Sequence, residues 1–573
     1  MASMIIDEVK TDILVVGGGG AALRAAVEAA RLGARTRVAV KGKLLASGST
    51  ATAISELFAI GAALGFADAR DNPEVHFEDT MRGAQGFCNP SLVKVLAYEA
   101  PERVLELSNM GVPFDRENGR IRQKASDFAT YPRACSAGGR TGYFISQALA
   151  DRARQLGVSF DEDVMVYKFL VDAQGKVAGA LAFRKGCEDP FLYRFRAAVL
   201  ATGGAQQLYR FALSDVSMTG DGYAIALDLG LPLVNMEFVQ LGTGVVEPVR
   251  LALSKPVFSL RPRLLNGNGK DILTGILPDG VTADDVYRTK VFPFSASNPS
   301  RYIDITVFKN SIAQDASEFI PVYLDLRGSP EIESTISNTL KALREAGVDP
   351  RLSPLKVGIL CQCFNGGVLM QDADCTTAVP GLYVAGEVAG GVRGPDRPGG
   401  NSLAEGQVFG YRAGRAAALF AREGIGVSLL HENTVALALA ESRELQRSWQ
   451  GDALLIRFQV KYLMSRYCSI VRDEKGLRVA LDAIEDIRHR INGNTHRAAD
   501  RCSSESSCDP ISALSTRNLV EVARIVLSAA LFRRESRGPH FREDYPASAP
   551  DMRHAYSIRR AESDRLIIDQ VNY

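Results

Sequence analysis

Residues 11–40 constrain the fold more than any other stretch. Thr11 to Val16 (TDILVV) is a short apolar run, four glycines follow, and an alanine-rich stretch continues to Leu32 before Gly33. Gly17, Gly19 and Ala22 stand in a G-x-G-x-x-A pattern, with Gly20 inside the same turn. The pattern predicts a strand, a tight turn, a helix closed by Gly33 and a second strand over Thr36 to Val40. Such a start fits the beginning of an α/β fold with a parallel sheet. Its helix N-terminus is built to hold a pyrophosphate. Lys41 ends the second strand, where many such units place an acid for a ribose.

A second glycine-rich run, Gly381 to Gly414, lies far along the chain. Glycine permits close backbone approach to a large flat ligand. The run leads into a helix expected over Ser402 to Ala418, with Asn401 as its cap. The first N–H groups of that helix suit an electron-rich ring edge or an anion. Between the two runs, Ala198 to Ala201 is a buried strand ending in Thr202-Gly203-Gly204, and Thr219 to Gly222 opens a helix over Tyr223 to Leu229. Asp221 serves there either as an N-cap or as a carboxylate near a ribose or ribityl hydroxyl.

At 573 residues the chain should hold about three to four structural units. A net charge of +1 gives no reason to expect nucleic acid or an anionic membrane surface as partner. No apolar run reaches the roughly 18 residues of a spanning helix, and the first residues do not resemble a signal peptide, so a cytoplasmic protein without membrane insertion is expected. Nine dispersed cysteines without a CxxC step argue against a zinc ribbon or an internal iron–sulfur cluster. Cys361 and Cys363 flank Gln362 in a strand-like run, and alternation would put both thiols on one face.

Seven ordered motifs now combine: VVGGGGAALRAA, SGSTATA, LATGG, TGDGYAIA, PGLYVAGEVAGGV, RPGGNSL and RRESRGPHFREDYP. Together they resemble the flavoprotein subunits of succinate dehydrogenase and fumarate reductase, a family that includes L-aspartate oxidase. The resemblance implies a discontinuous Rossmann-like FAD-binding domain over 1–235 and 355–429. It further implies an α+β capping domain over 236–354, a helical domain over 430–540 and a tail over 541–573. It assigns FAD contacts to Gly17, Gly19, Gly20, Ala22, Lys41, Ser49, Thr50, Ala51, Ala201, Gly203, Asp221, Glu387, Asn401, Ser402 and Leu403. Ser49 stands where membrane-bound relatives carry the histidine that bonds FAD covalently, so non-covalent FAD is expected. The helix at Ser402 should favour the reduced flavin anion.

The resemblance breaks at the substrate site. The family holds a C4-dicarboxylate with two histidines and an arginine, and a second arginine shuttles the proton. The first histidine's stretch reads Glu237 to Gly244 without His; Gln362 and Phe258 match the second histidine and the shuttle arginine. Arg397 is retained, and Arg261 and Arg263 are the nearby substitutes for the shuttle. These replacements predict a less cationic, more apolar chamber and a substrate other than fumarate or succinate. His540 falls in a motif outside the chemical centre and reads as architectural. The function expected is hydride exchange between flavin N5 and an unidentified organic molecule, the electrons passing to or from a separate carrier. The partner that the family implies is an iron–sulfur electron-transfer subunit. The alternative is a flavin-bearing electron-transfer subunit without an organic substrate.

Overall fold

Strand β1 (Ile13–Val16) is buried at all four positions, which its unbroken apolar sequence requires of a strand covered on both faces. The computed structural model describes residues 6–312, 319–423, 430–449, 452–491 and 509–573; His496, Cys502 and Cys508 lie outside the described residues. Helix α1 (Gly20–Arg31) leads to β2 (Thr36–Val40), and β3 (Ser159–Glu162) and β4 (Ala197–Leu200) join the same parallel sheet.

The chain then leaves this sheet. Strand β5 (Val239–Glu247) pairs antiparallel with β6 (Leu355–Phe364), and Leu251–Ala252, Arg263–Leu265 and Val322–Asp325 complete a five-stranded sheet. Helix α2 (Lys255–Ser259) contributes Val257 and Phe258 to the core beside it. This insert has its own apolar cluster, including Val245, Phe258, Leu324, Leu343 and Val357. The seam expected between 354 and 355 is therefore displaced: the ladder holds β6 in the insert's sheet as far as Phe364.

Strand β7 (Leu382–Val384) returns beside β4, giving the sheet order β7-β4-β1-β2-β3. Helix α3 (Asn401–Arg422) then crosses α1. A Cβ on Gly410 would stand 2.6 Å from the Ala21 carbonyl oxygen, and one on Gly414 2.2 Å from that of Ala25. These two glycines were expected against a ligand; they serve instead to bring two helix backbones together.

Helices α4 (Ala453–Tyr467), α5 (Glu474–Ile491) and α6 (Pro510–Phe532) form the helical part. The tail, which reads as polar and irregular in sequence, carries a hairpin, Ala555–Arg560 with Leu566–Val571, whose first strand pairs with Leu233–Val234. His540 lies fully buried among the charges that join these parts. Arg472 donates to its Nδ1 at 2.7 Å, and its Nε2 meets the Arg533 carbonyl at 3.1 Å. Burial, then the arginines, push its pKa well below the usual histidine value, so it stays neutral and structural. No helix among the described residues is long and apolar enough to cross a membrane.

Candidate active site

The ends of β1, β2 and β4, the start of α3 and the face of the insert enclose one cavity of about 840 Å3, at the upper end of the range for ligand sites. One end is made by backbone. Gly17 has φ +127, and a Cβ there would lie 2.1 Å from the Ala201 carbonyl oxygen. Gly19 is the N-cap of helix α1 and makes no side-chain cap bond, so the first N–H groups of the helix open to the cavity. Gly20 N–H reaches Thr50 Oγ1 at 3.3 Å.

Lys41 Nζ donates to Asp221 Oδ2 at 2.7 Å and Thr219 Oγ1 at 2.6 Å. Asp221 Oδ1 accepts from Asn518 at 2.9 Å. Burial lowers the Lys41 ammonium below the usual lysine range, and Asp221 opposes that. Gly220, in the left-handed region, is the N-cap of the helix Asp221–Asp228, whose first residue is Asp221. Glu387 Oε1 accepts from Gln206 at 2.7 Å and from Phe364 N–H at 2.8 Å, and burial raises its pKa. Ser49 Oγ and Gln407 Oε1 are buried on this wall without a partner.

Gly17, Gly19, Gly20, Lys41, Ser49, Thr50, Ala201, Gly203, Asp221, Glu387, Ser402 and Leu403 all line the cavity. Ala22, Ala51 and Asn401 do not. Ala22 and Ala51 are packed into the protein. Asn401 is not the cap expected: Gly400, with φ +91, takes that place. The Asn401 side chain turns away, its Oδ1 2.8 Å from His76 Nε2 and its Nδ2 donating to Thr80 Oγ1 at 3.0 Å. Burial pulls the His76 pKa down to about 4, so the ring is neutral and its Nε2–H donates.

The other end of the cavity is made by side chains. Gln240 pairs with Cys363 and Leu241 with Cys361, so Gln362 is an extra residue in a β-bulge. It faces the cavity, and its Oε1 is buried without a partner. The bulge also breaks the alternation expected for the two thiols. Cys363 lines the cavity, whereas Cys361 joins the core. Burial pushes the Cys363 thiol up to about 11. Gln240 Oε1 accepts from Cys363 Sγ at 2.8 Å and from Arg397 NH2 at 3.0 Å, while Arg397 NH1 donates to the Pro398 carbonyl at 3.1 Å.

Phe258 is not in this wall. It is fully buried in the insert's core, its ring stacked on Tyr287 at 6.2 Å. Lys255 and Ser259, one turn apart on the same short helix, face the cavity instead. Lys290 also lines it, fully buried and paired with Asp304 at 2.7 Å. The chamber therefore holds more cationic groups than expected from sequence, although Lys290 is neutralised by Asp304. Arg261 and Arg263 do not contribute: they pair with Asp284 and Asp325, largely exposed and off the wall.

Asp127, unremarkable within KASDFATYP, is a further wall residue. Its backbone carbonyl accepts from Gly399 N–H at 2.9 Å, and its Oδ2 accepts from Phe292 N–H at 3.3 Å. Lys255, Lys290 and Asp127 carry no sequence signal, because they reach the chamber only through loop paths and the insert's closure.

The profile described as FAD binding domain matches residues 12–403, and the one described as fumarate reductase flavoprotein C-term matches 457–570. The chain is 32% identical over 570 residues to a subunit of the fumarate reductase (CoM/CoB) of Methanothermobacter marburgensis, covering 97% of this chain and 98% of that protein. It is 32% identical over 556 residues to an uncharacterized FAD-dependent oxidoreductase of Methanocaldococcus jannaschii, covering 95% of both chains. Among solved structures, Mycobacterium smegmatis Sdh1 in complex with UQ1 superposes with a TM-score of 0.82 at 29% identity, covering 99% of this chain and 94% of that one.

Proposed function

The chain belongs to the succinate dehydrogenase and fumarate reductase flavoprotein family and is an FAD-dependent oxidoreductase; from that premise we propose that it works on a substrate carrying one carboxylate or carbonyl beside the bond it changes, not on fumarate or succinate. Bound FAD supplies two-electron hydride exchange at its N5. The open N–H groups of α1 suit the pyrophosphate, Asp221 and Glu387 the hydroxyls, and the start of α3 at Ser402 and Leu403 the ring edge. FAD is held non-covalently, since a serine stands at 49. Acid precipitation should release the yellow colour; colour kept in the pellet would contradict this.

The observation that carries the substrate reading is the amide at 362. An unpartnered Gln362 Oε1 and an Arg397 already tied to Gln240 and the Pro398 carbonyl offer one anchor for a carboxylate or carbonyl and a neutral hydrogen-bonding neighbour. With Lys290 neutralised by Asp304 and Lys255 facing Asp127, that pair suits a monoanion better than a C4 dianion. Electrons are exchanged with a separate carrier; by analogy with the family this is an iron–sulfur protein.

The test compares two acceptors for the dithionite-reduced holoenzyme without oxygen. Crotonate, a monocarboxylate alkene, should reoxidise it at least about a hundredfold faster than fumarate, the scale on which misplaced acid–base groups act. Brisk reoxidation by fumarate sinks the proposal.

A further inference from the structure

The residue matching the family's proton shuttle is a phenylalanine buried in the insert, so the chamber needs its acid or base from elsewhere. Among the groups on the wall, Lys290 is tied to Asp304, and Arg397 to Gln240 and Pro398. Cys363 is a buried thiol bonded to Gln240. Asp127 is placed differently. It sits on the loop that supports Gly399, immediately before α3, and it reaches across to the insert at Phe292. Its Oδ1 makes no hydrogen bond among the described residues.

We infer that Asp127 is the acid–base residue of the chamber, its Oδ1 giving a proton to the substrate or taking one from it, with Lys255 as the relay to water. The inference rests on the substrate reading above. In the donating direction the carboxyl O–H bond breaks, the new substrate bond to hydrogen forms, and a carboxylate remains. The Lys255 ammonium then passes a proton to that carboxylate and takes one back from water, the hydroxide leaving to solvent. Lys255 suits the relay because it is exposed at the mouth while lining the same wall.

The electrostatics agree with the geometry. Burial raises the Asp127 pKa to about 6, and the Phe292 N–H, Lys290 and Lys255 partly oppose the rise. Lys290 and Phe292 face it from the segment at 289–292 and Lys255 from α2, while the Gly399 N–H holds its backbone carbonyl. A carboxyl that titrates near neutrality is suited to donate and accept in one cycle.

Two measurements on the FAD-loaded wild type, Asp127→Asn and Asp127→Glu test this, after FAD content confirms that each folds. In the first, difference infrared spectra across the titration should show, beside the bands of Asp71, Asp396 and Glu405, a further carboxyl C=O component that disappears as pH rises through about 6 in the wild type. Asp127→Asn should lack it and Asp127→Glu should retain a displaced one. In the second, reoxidation of the reduced protein by crotonate should slow by roughly 10²–10⁴-fold in Asp127→Asn and recover in part in Asp127→Glu. Asp127→Asn spectra that superimpose on those of the wild type, or reoxidation by that variant at the wild-type rate, overturn the inference. If crotonate oxidises none of the three while the band behaves as expected, the substrate reading fails and the assignment of the titrating proton to Asp127 stands.

Discussion

The two ends of the cavity are built by opposite means. At the dinucleotide end the turns are set by backbone: a Cβ on Gly17 would stand 2.1 Å from the Ala201 carbonyl oxygen and one on Gly400 2.6 Å from Gly61 N. At the substrate end the wall is side chains delivered by a bulge, a one-turn helix and two loops: Gln362, Lys255, Asp127 and Lys290. Close approach of backbone to backbone leaves glycine as the acceptable residue. A side chain carried on a loop leaves no such mark. The first end should therefore fail sharply on single substitutions and the second should retune.

The largest effect tests the backbone end. Gly17→Ala adds a Cβ 2.1 Å from a carbonyl oxygen at φ +127. Clash and strain together should cost about 4 kcal/mol, which is roughly a thousandfold in FAD affinity if the turn yields instead. Gly33→Ala is the control: it shares a positive φ, +83, but nothing lies within 4 Å. It should cost only about 1 kcal/mol of stability and leave FAD stoichiometry intact. A fully yellow Gly17→Ala protein would erase the distinction between the two ends.

The next effect separates the chamber from the core beneath it. Phe258→Ala should lower stability by roughly 3–5 kcal/mol, the cost of deleting a buried ring. FAD content, measured by absorbance, should remain at wild-type stoichiometry. A variant with unchanged thermal unfolding and altered crotonate KM would return Phe258 to the chamber.

His76 makes a pH-dependent version of the same comparison, because it braces α3 from behind through Asn401. Its folded pKa of about 4 lies below the unfolded value of about 6.5. The unfolded chain therefore binds a proton in that window that the fold refuses. The stabilising contribution is complete above about pH 6.5 and is lost as pH falls toward 4, on the order of 3 kcal/mol in all. Urea unfolding at neutral and acid pH should show this slope in the wild type and a shallower one in His76→Gln. Parallel slopes would remove His76 from that account.

Legibility in the sequence divides along the same line. The strand–glycine–helix start and the returning strand at 382–384 were legible because repeating periods and glycine spacing encode them, whereas the cavity position of Ser402 and Leu403 came from the resemblance. Asn401 misled because a residue of cap type opens a helix whose cap is the glycine before it, in the left-handed region. Phe258 misled because counting along a chain fixes a position but not which side of a single helical turn meets the cavity. Cys361 and Cys363 misled because one inserted residue in a ladder reverses the face of every later residue in the strand. Gln362 was found by counting, yet its exposure to the chamber comes from that bulge.

The smallest expected effect asks whether the bulge exists for the fold or for the substrate. An unpartnered buried amide oxygen is a liability to stability. If Gln362 were structural filler, Gln362→Leu would be neutral or harmful to folding and silent toward crotonate. If it is kept for a ligand, removing it should relieve the liability and raise stability by about 1 kcal/mol. The same change should lower kcat/KM for crotonate by roughly 5- to 30-fold, the loss of one or two kcal/mol of contact. Opposite signs in the two measurements are the mark of a residue held against the interest of the fold. Equal signs would make the substrate end as structural as the dinucleotide end, and the contrast between them would reduce to a difference in residue type.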